Sequence, residues 1–283
     1  MDSRSPSPLR LVAANFHVLA PCNAQCRFCF ATFRDVPGQL SVAAACAVVD
    51  ALAAAGCEKL TFAGGEPTLY RELGALLRRA KSSGMVTCVV TNGFRLPALL
   101  ERHADPVDWV GLSVDSSDEA VQHALGRGPG DHVREAIRLA DLCRDVGVRL
   151  KLNTVVTSLT WEEDMADLVR RVRPERWKVF QVLPIEGQND GDVDDLLIEP
   201  DQFDAFVQRH RGLDAEGLVP VVEDNDAMRG SYVMVDPLGR FFGNASGRHV
   251  YSEPILEVGV DAALGQVGFQ PEKLVARGGV YDW

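Results

Sequence analysis

Six short segments rich in β-branched and aromatic residues alternate with helix-like segments along the first 184 residues of the chain. This alternation is typical of parallel strands joined by right-handed helical crossovers, with all strands ending at one face. Six such units make about three quarters of an eightfold barrel. The sequence therefore predicts an α/β fold, a partial (β/α)6 TIM barrel with a C-terminal extension. The strand candidates are residues 11–19, 59–63, 86–91, 109–114, 148–156 and 178–183, and the helix candidates include residues 41–55, 71–83, 132–146 and 161–172.

The 283 residues divide into three parts on this basis. We expect residues 1–10 to be a disordered tail, residues 11–184 to form the barrel, and residues 185–283 to close its site. The stretch 186–204 holds eight acidic residues and no basic one, which indicates a solvated linker, with divalent-cation binding as the alternative. One helix is predicted next, at residues 201–211, before an irregular, glycine-rich end.

The charge balance excludes some classes of function. The chain carries 29 Lys and Arg against 40 Asp and Glu, a formal net charge of −11. This balance argues against general binding of nucleic acid or of anionic membranes. No apolar run approaches the ~18 residues of a membrane span, and the first residues lack a signal-peptide pattern. We therefore expect a cytoplasmic protein without a membrane anchor.

Three cysteines, Cys22, Cys26 and Cys29, stand in a polar loop directly after the first strand candidate. Three thiolates on one short loop suit a [4Fe–4S] cluster with one iron left open. A structural zinc ion would need a fourth ligand, such as His17 or a distant residue. The remaining cysteines are predicted to be small core residues, namely Cys46, Cys57, Cys88 and Cys143.

A second motif, Gly64-Gly65-Glu66-Pro67, ends the second strand candidate. Glycines let a ligand approach the backbone closely, and exposed carbonyls with a carboxylate can bind an ammonium group. Alone, the motif also fits a plain strand-to-helix turn. Its position 35 residues after Cys29 and behind a strand makes it a candidate ligand site.

Cationic residues occupy inward positions in the segments VRLKLNT and RWKVFQ, which contain or overlap the last two strand candidates. By strand alternation, Lys151 and Asn153 share one face, and Arg176 and Lys178 share one face of the next strand. The bulky apolar residues on the opposite faces belong against the helices, so these polar side chains point into the barrel. Buried cations cost several kcal/mol each, and these strands offer no acid on the same faces. A triphosphate is the predicted guest, with internal pairing or solvent exposure at the strand ends as alternatives.

The segments CNAQCRFCF and GGEP resemble the motifs of the radical S-adenosylmethionine (SAM) superfamily. Within it the chain resembles the viperins, a family of antiviral nucleotide-modifying enzymes, through RWKVFQVLPIEG, SYVMVD and RGGVYDW, and the matches run from residue 15 to residue 283. The resemblance implies a partial barrel of the radical SAM type. It also implies that Cys22, Cys26 and Cys29 hold a [4Fe–4S] cluster and that SAM is the second cofactor.

The resemblance further assigns site residues. SAM is expected to contact Phe28, Gly64, Gly65, Glu66, Asn92, Ser113 and Arg127. The nucleotide is expected to contact Asn15, Lys151, Asn153, Arg176, Lys178 and Tyr232, with Tyr232 also catalytic. From the residues alone, Asn92 equally fits a turn, Ser113 and Arg127 fit a solvated surface, and Tyr232 fits a core.

By resemblance, SAM cleavage yields a 5′-deoxyadenosyl radical that takes the 4′ hydrogen of a ribonucleoside triphosphate. The expected product is the 3′-deoxy-3′,4′-didehydro nucleotide, a terminator of viral RNA chains, with CTP as the first choice of substrate and UTP or GTP as alternatives. The implied partners are an electron donor such as a flavodoxin or ferredoxin, and an iron–sulfur assembly factor at the tail ending in Trp283, for which a packed terminus is the alternative.

Two rival functions remain open. One is a radical SAM enzyme acting on a peptide or another small molecule. Such enzymes often carry an auxiliary cluster near the C-terminus, and no cysteine follows Cys143 in this chain. The other is a non-catalytic iron–sulfur redox protein, for which the GGEP motif and the inward cations have no explanation.

Replacing Cys22, Cys26 or Cys29 by alanine should abolish the visible absorbance of the cluster and all SAM cleavage, because two thiolates retain a cluster poorly. Absorbance and 5′-deoxyadenosine release after anaerobic reconstitution measure both effects. Alanine at Cys46, Cys57, Cys88 or Cys143 is the control and should cost stability alone, on the order of 1–2 kcal/mol. A variant of the first three with full cluster and activity contradicts the assignment.

Overall fold

Residues 11–283 are described by a computed structural model of the chain, and the expected tail at residues 1–10 lies outside this range. The strands are β1 (Ala13–His17), β2 (Lys59–Ala63), β3 (Val86–Thr91), β4 (Trp109–Ser113), β5 (Arg149–Val156), β6 (Arg176–Gln181), β7 (Pro220–Glu223), β8 (Met234–Val235), β9 (Arg240–Gly243) and β10 (Val250–Pro254). The helices are α1 (Val42–Ala54), α2 (Leu73–Ser82), α3 (Leu96–His103), α4 (Glu119–Ala124), α5 (His132–Asp145), α6 (Ala166–Val172), α7 (Pro200–Arg209), α8 (Asn225–Met228), α9 (Ile255–Val258), α10 (Val260–Leu264) and α11 (Pro271–Ala276). Within residues 11–283, no helix has the length and apolar character needed to cross a membrane.

The strands of the described residues form one sheet in the order β10-β9-β8-β1-β2-β3-β4-β5-β6-β7. Strands β1 to β6 are neighbours in chain order, and each pair is parallel. At least one helix separates each of these strands from the next, as a right-handed β/α winding requires. The predicted partial (β/α)6 barrel is confirmed, with strand boundaries within two residues of those expected.

The two faces of the barrel strands differ in chemistry. In β5, Leu150 and Leu152 belong to the apolar core, whereas Lys151 and Asn153 occupy the alternate positions. Strand β6 repeats the pattern, and its register places Lys151 beside Arg176 and Asn153 beside Lys178. Alternation along each strand therefore separates an apolar outer face from a polar inner one.

The extension is more regular than the sequence indicated. Strand β7 adds to the free edge of β6 in parallel, and β8 adds to the free edge of β1. Strands β9 and β10 continue from β8 as antiparallel neighbours. The expectation of an irregular end was wrong because these strands have two to five residues, too few for a readable period. The sheet runs through the predicted boundary at residue 184, and the division into domains stays a prediction.

The acid-rich segment 186–204 is solvated but is not a linker. All eight of its acidic side chains are exposed, as expected. Gln188, Asn189, Val193 and Leu196 are nevertheless buried, so every few residues the segment packs onto the barrel. The linker interpretation was wrong because it rested on the many acidic residues and did not consider the four uncharged residues between them. The helix expected after it is α7.

Candidate functional site

The loop that carries the three cysteines follows β1 at the carboxyl edge of the barrel. The segment after α4 holds it through backbone hydrogen bonds from Gln25 N to Gly126 O (3.1 Å) and from Arg27 N to Leu125 O (3.1 Å). Gly126 has φ +85°, and a Cβ there would lie 2.0 Å from the carbonyl oxygen of Gln25. Glycine at this position therefore permits both the left-handed turn and the close approach of the two loops.

The three thiols of this loop are free, with Cys22 exposed and Cys26 and Cys29 half-buried. Burial raises the pKa of Cys26 to about 12 and also raises the pKa of Cys22 and of Cys29, while the Arg127 guanidinium opposes the rise in all three. Within residues 11–283, no three His, Cys, Asp or Glu side chains converge closely enough for a single metal ion. A [4Fe–4S] cluster takes each thiolate on a separate iron, so this donor set fits a cluster better than a lone zinc ion.

Arg127 lies beside the cysteine loop, with 12% of its side chain exposed, in an ion pair with the buried Asp115. Its Nε lies 2.5 Å from Asp115 Oδ2, and its guanidinium carbon lies 5.3 Å from the centre of the Phe28 ring. Asp115 also accepts a hydrogen bond from Val155 N (2.9 Å), which anchors the pair to β5. The alternative of a solvated surface is wrong for Arg127, and its partner Asp115 was not among the predicted site residues.

Ser113 ends β4 on the same edge of the barrel, where its side chain is half-buried. Its carbonyl oxygen accepts a hydrogen bond from His132 Nε2 (2.7 Å) at the start of α5. This contact ties the end of the strand to the next helix. It leaves the assignment of Ser113 to SAM as a prediction.

The GGEP turn packs against the residues that lead into Cys22. Gly65 N donates to Leu19 O (2.8 Å) and Glu66 N donates to Pro21 O (3.0 Å). A Cβ at Gly65 would lie 2.2 Å from the Ala20 and Pro21 carbonyl oxygens. The glycine is therefore required by contact between two backbone segments, a reason that the sequence alone did not supply.

The Glu66 carboxylate is fully buried and joins this turn to the next strand. It accepts hydrogen bonds from Asn92 N (2.8 Å), Thr91 Oγ1 (2.7 Å) and Thr68 N (3.0 Å). The Asn92 side chain forms the expected turn by accepting from Phe94 N and also donates to Asn23 Oδ1 (2.9 Å) in the cysteine loop. Both interpretations of Asn92, the turn and the site residue, are thus compatible with its position.

A second cluster of charged residues lies inside the barrel, toward the amino ends of the strands. Lys59 and Lys151 are buried with 6% and 5% of their surface exposed. Arg176 and Lys178 from β6 join them, and Arg277, just after α11, completes the cation cluster. Sequence reasoning missed Lys59 and Arg277. Lys59 had a readable signal, since it alternates with Leu60 at the start of a strand.

One buried carboxylate, Glu223 on β7, faces these cations. It lies 2.7 Å from Lys178 Nζ and 3.2 Å from Arg277 Nη1, and it accepts a hydrogen bond from the Tyr232 hydroxyl. The expectation that no acid faces the inward cations was wrong, because β7 was not predicted. Internal pairing therefore compensates part of the charge, since the structure of residues 11–283 sets five cationic side chains against this carboxylate.

The Tyr232 hydroxyl lies within this network, while the side chain also packs against two apolar clusters, as the core alternative predicted. Its hydroxyl oxygen accepts a hydrogen bond from Lys178 Nζ (2.8 Å), and the Arg277 guanidinium carbon lies 3.7 Å from the ring centre. Burial raises the pKa of Tyr232 well above its ordinary value, so the hydroxyl keeps its proton. The arrangement joins an ammonium, a phenol and a carboxylate through direct hydrogen bonds.

Two predicted asparagines have different surroundings. Asn153 lies beside Lys178, and Gly111 on β4 leaves space for its side-chain amide. Asn15 lies on β1 between Thr61 of β2 and β8. No hydrogen bond of its side chain is found within the described part of the chain, and its assignment stays a prediction.

The C-terminal tail covers the cation cluster. The Tyr281 hydroxyl oxygen accepts a hydrogen bond from Lys59 Nζ, and the ring centre lies 4.0 Å from the Arg176 guanidinium carbon and 5.0 Å from Lys151 Nζ. The Trp283 ring lies 5.0 Å from Lys59 Nζ. The tail is therefore packed against the barrel, which is the alternative expected for a packed terminus. Docking of an assembly factor stays a prediction.

The sequence profile of the Radical SAM superfamily matches residues 20–172. The chain is 42% identical to the S-adenosylmethionine-dependent nucleotide dehydratase of Flammeovirga pacifica over 96% of each protein. It is 43% identical to the dehydratase of that name from Lacinutrix mariniflava over 99% of this chain, and it spans 60% of that relative's length. The corresponding Danio rerio protein, RSAD2, is 34% identical over 96% of this chain and 78% of its own.

Solved structures support the fold. Streptococcus suis SuiB bound to S-adenosylmethionine superposes with a TM-score of 0.64 at 16% identity, covering 81% of this chain and 59% of SuiB. The anSMEcpe protein with bound AdoMet and a peptide gives a TM-score of 0.61 at 18% identity over 82% of this chain and 73% of its own. At such identities the likeness extends to the barrel and not to the substrate.

Binding of a polyanion to the cation cluster should weaken with rising pH. Burial lowers the pKa of Lys178 to about 8, although Glu223 opposes the shift, so the free site loses this charge above that pH. At pH 9 the affinity for inorganic tripolyphosphate should be about tenfold below that at pH 7, because one pKa unit costs 1.36 kcal/mol. Calorimetry on Lys178→Arg, which stays charged, should show a smaller loss. Equal losses in both proteins would contradict the role of Lys178.

Proposed function

The chain belongs to the radical SAM superfamily and, within it, to the S-adenosylmethionine-dependent nucleotide dehydratases, and on that premise we propose that it removes water from the ribose of a ribonucleoside triphosphate. As a radical SAM enzyme it uses a [4Fe–4S] cluster and SAM. The observation that carries the substrate assignment is the cation cluster inside the barrel, whose five lysine and arginine side chains face one carboxylate.

The cofactor end of the proposed site is the carboxyl edge of the barrel. Cys22, Cys26 and Cys29 are assigned to the cluster, which together with bound SAM would supply a 5′-deoxyadenosyl radical for removal of the ribose 4′ hydrogen. Phe28, Gly64, Gly65, Glu66, Asn92, Ser113 and Arg127 are assigned to SAM. Contacts with the cysteine loop support this assignment for Asn92, which bonds to Asn23, and for Arg127, which lies against Phe28.

The phosphate end is the cation cluster. Burying an ammonium or guanidinium group costs several kcal/mol unless an anion compensates it, and Glu223 compensates only part of the charge. A triphosphate supplies several negative oxygens that accept charge-assisted hydrogen bonds from planar guanidinium and ammonium donors. We assign Lys59, Lys151, Asn153, Arg176, Lys178 and Arg277 to the phosphates, and we keep Asn15 for the nucleoside.

The proposed product is the 3′-deoxy-3′,4′-didehydro nucleotide. After removal of the 4′ hydrogen, the 3′ hydroxyl leaves as water with one added proton, and one electron from an external donor completes the product. Tyr232 is assigned to this step because its hydroxyl bridges Lys178 Nζ and the Glu223 carboxylate, and protons can pass along such a chain. CTP is the first choice of substrate, UTP and GTP the alternatives, and termination of viral RNA chains the proposed role.

The proposed partners follow from the chemistry. A flavodoxin or ferredoxin would reduce the cluster, and an iron–sulfur assembly factor would load it. A cytoplasmic location suits both. The packed C-terminal tail would have to leave Lys59 before Trp283 could engage an assembly factor.

Neutralising one phosphate-binding cation should reduce affinity for the triphosphate by about 10- to 150-fold, since a charge-assisted hydrogen bond is worth about 1.5–3 kcal/mol. Calorimetry of Lys178→Ala and Arg176→Ala with nucleoside triphosphate, monophosphate and nucleoside measures the effect. The loss should be largest for the triphosphate and near zero for the nucleoside, with SAM binding unchanged.

Arg170→Ala is the matched control for net charge. Arg170 lies half-exposed on α6 and pairs with Glu216, away from the barrel interior. This variant should bind all three ligands as the wild type does. Equal losses across the three ligands in Lys178→Ala and Arg176→Ala would contradict phosphate recognition by these side chains.

A further inference from the structure

Two buried amide side chains connect the acid-rich segment to the cysteine loop. Gln188 and Asn189 are 2% and 1% exposed, although their acidic neighbours are all solvated. A buried amide must satisfy its donors and acceptors, so the identity of its partners shows what it holds in place.

Asn189 holds the backbone on the amino side of Cys29. Its Nδ2 donates to Phe28 O (3.2 Å) and to Leu183 O (3.0 Å), and its Oδ1 accepts from Ile185 N (2.8 Å). The side chain therefore ties the residue before Cys29 to the segment that follows β6. A carboxylate of the same shape would place an oxygen against two carbonyl oxygens.

Gln188 holds the backbone on the carboxyl side of Cys29. Its Oε1 accepts from Phe33 N (2.8 Å) and from Thr32 Oγ1 (2.9 Å), and its Nε2 donates to Asp35 Oδ1 (3.0 Å). Contacts with Thr32, Phe33 and Asp35 thus fix the turn that follows the third cysteine. Replacing the amide by a carboxylate would remove this donor and place a second negative charge beside Asp35.

Two exposed ion pairs join the same segments, Arg27 with Asp195 and Arg34 with Asp192. Exposed pairs contribute little because water and salt screen them. The buried amides, which have no water to replace their partners, are therefore the specific part of the connection.

Cys29 lies between the two anchored segments. Its N–H donates to Cys26 O (3.0 Å), so the backbone of the turn sets the position of the third thiol. Solvent exposure and hydrogen bonds to cysteine sulfur are among the factors that set the reduction potential of an iron–sulfur cluster. The geometry of the turn therefore determines the direction of the third thiolate and its exposure to water.

We propose that Gln188 and Asn189 are positioning residues for the cluster, which fix the Cys29 turn from both sides and so set how firmly the cluster is held and at what potential it is reduced. This inference rests on the proposed assignment of Cys22, Cys26 and Cys29 to the cluster. It adds to that assignment a link between the extension and the redox centre.

Asn189→Asp and Gln188→Glu test the inference with almost no change in side-chain volume. Each variant is reconstituted anaerobically with iron and sulfide, and iron per chain is measured after desalting. Electron paramagnetic resonance during a redox titration then gives the potential of the remaining cluster. We expect lower iron retention than in the wild type and a changed potential, because the turn that carries Cys29 is no longer held from both sides.

Asn244→Asp is the matched control. Asn244 is 3% exposed and accepts from Gly230 N (3.0 Å), a bond that a carboxylate also accepts. The described structure gives it no hydrogen bond to the cysteine loop. This variant should keep the iron content and potential of the wild type.

Asn189→Ser removes the contact with Phe28 without adding a charge. Wild-type iron retention and potential in Asn189→Asp, Gln188→Glu and Asn189→Ser would overturn the inference. A loss of iron in Asn189→Ser that is accompanied by a lower melting temperature of the cluster-free chain would also overturn it. That result would show that Asn189 stabilises the fold in general and not the cluster in particular. A wild-type chain that binds no cluster would instead overturn the assignment of the three cysteines.

Discussion

Positive charge buried inside the barrel is the constraint on which the rest of the structure depends. Lys59, Lys151 and Lys178 come from three different strands, so no local rearrangement can return them to water together. Burial lowers the pKa of Lys178 and, together with the neighbouring Lys151 ammonium, that of Lys59. Part of this cost is offset by the ion pair with Glu223, the hydrogen bond to the Tyr232 hydroxyl and the cation–π contact of Arg176 with the Tyr281 ring. A bound polyanion would offset the rest.

The parallel strands hold the cysteine loop and the cation cluster at a fixed distance from each other. The cysteine loop and the GGEP turn follow the carboxyl ends of β1 and β2, whereas Lys59 and Arg176 begin β2 and β6. A five-residue strand such as β2 is about 16 Å long. The cysteine loop and the cation cluster are therefore separated by roughly the length of a nucleoside triphosphate. A radical source at one end and phosphate binding at the other would leave the ribose between them, which is the arrangement that the proposed dehydration needs.

Local patterns made the barrel and the cofactor loop predictable. The alternation in β5 and β6 placed Lys151, Arg176 and Lys178 on the inner face, and the cysteine spacing defined the loop after β1. Glu223 could not be predicted because its role depends on β7 lying beside β6, a contact between segments about 40 residues apart. Gln188 and Asn189 were hidden for a similar reason, since their partners lie on the cysteine loop and their neighbours in sequence are all acidic or exposed.

The most direct measurement is turnover by the chemically reduced, reconstituted enzyme with SAM and each of the four ribonucleoside triphosphates in turn, followed by mass spectrometry. A nucleotide dehydratase should form 5′-deoxyadenosine much faster with at least one triphosphate than without any, and that triphosphate should yield a nucleotide lighter by one water. Formation of 5′-deoxyadenosine at the same rate with and without nucleotide, with no dehydrated nucleotide, would contradict the proposed reaction.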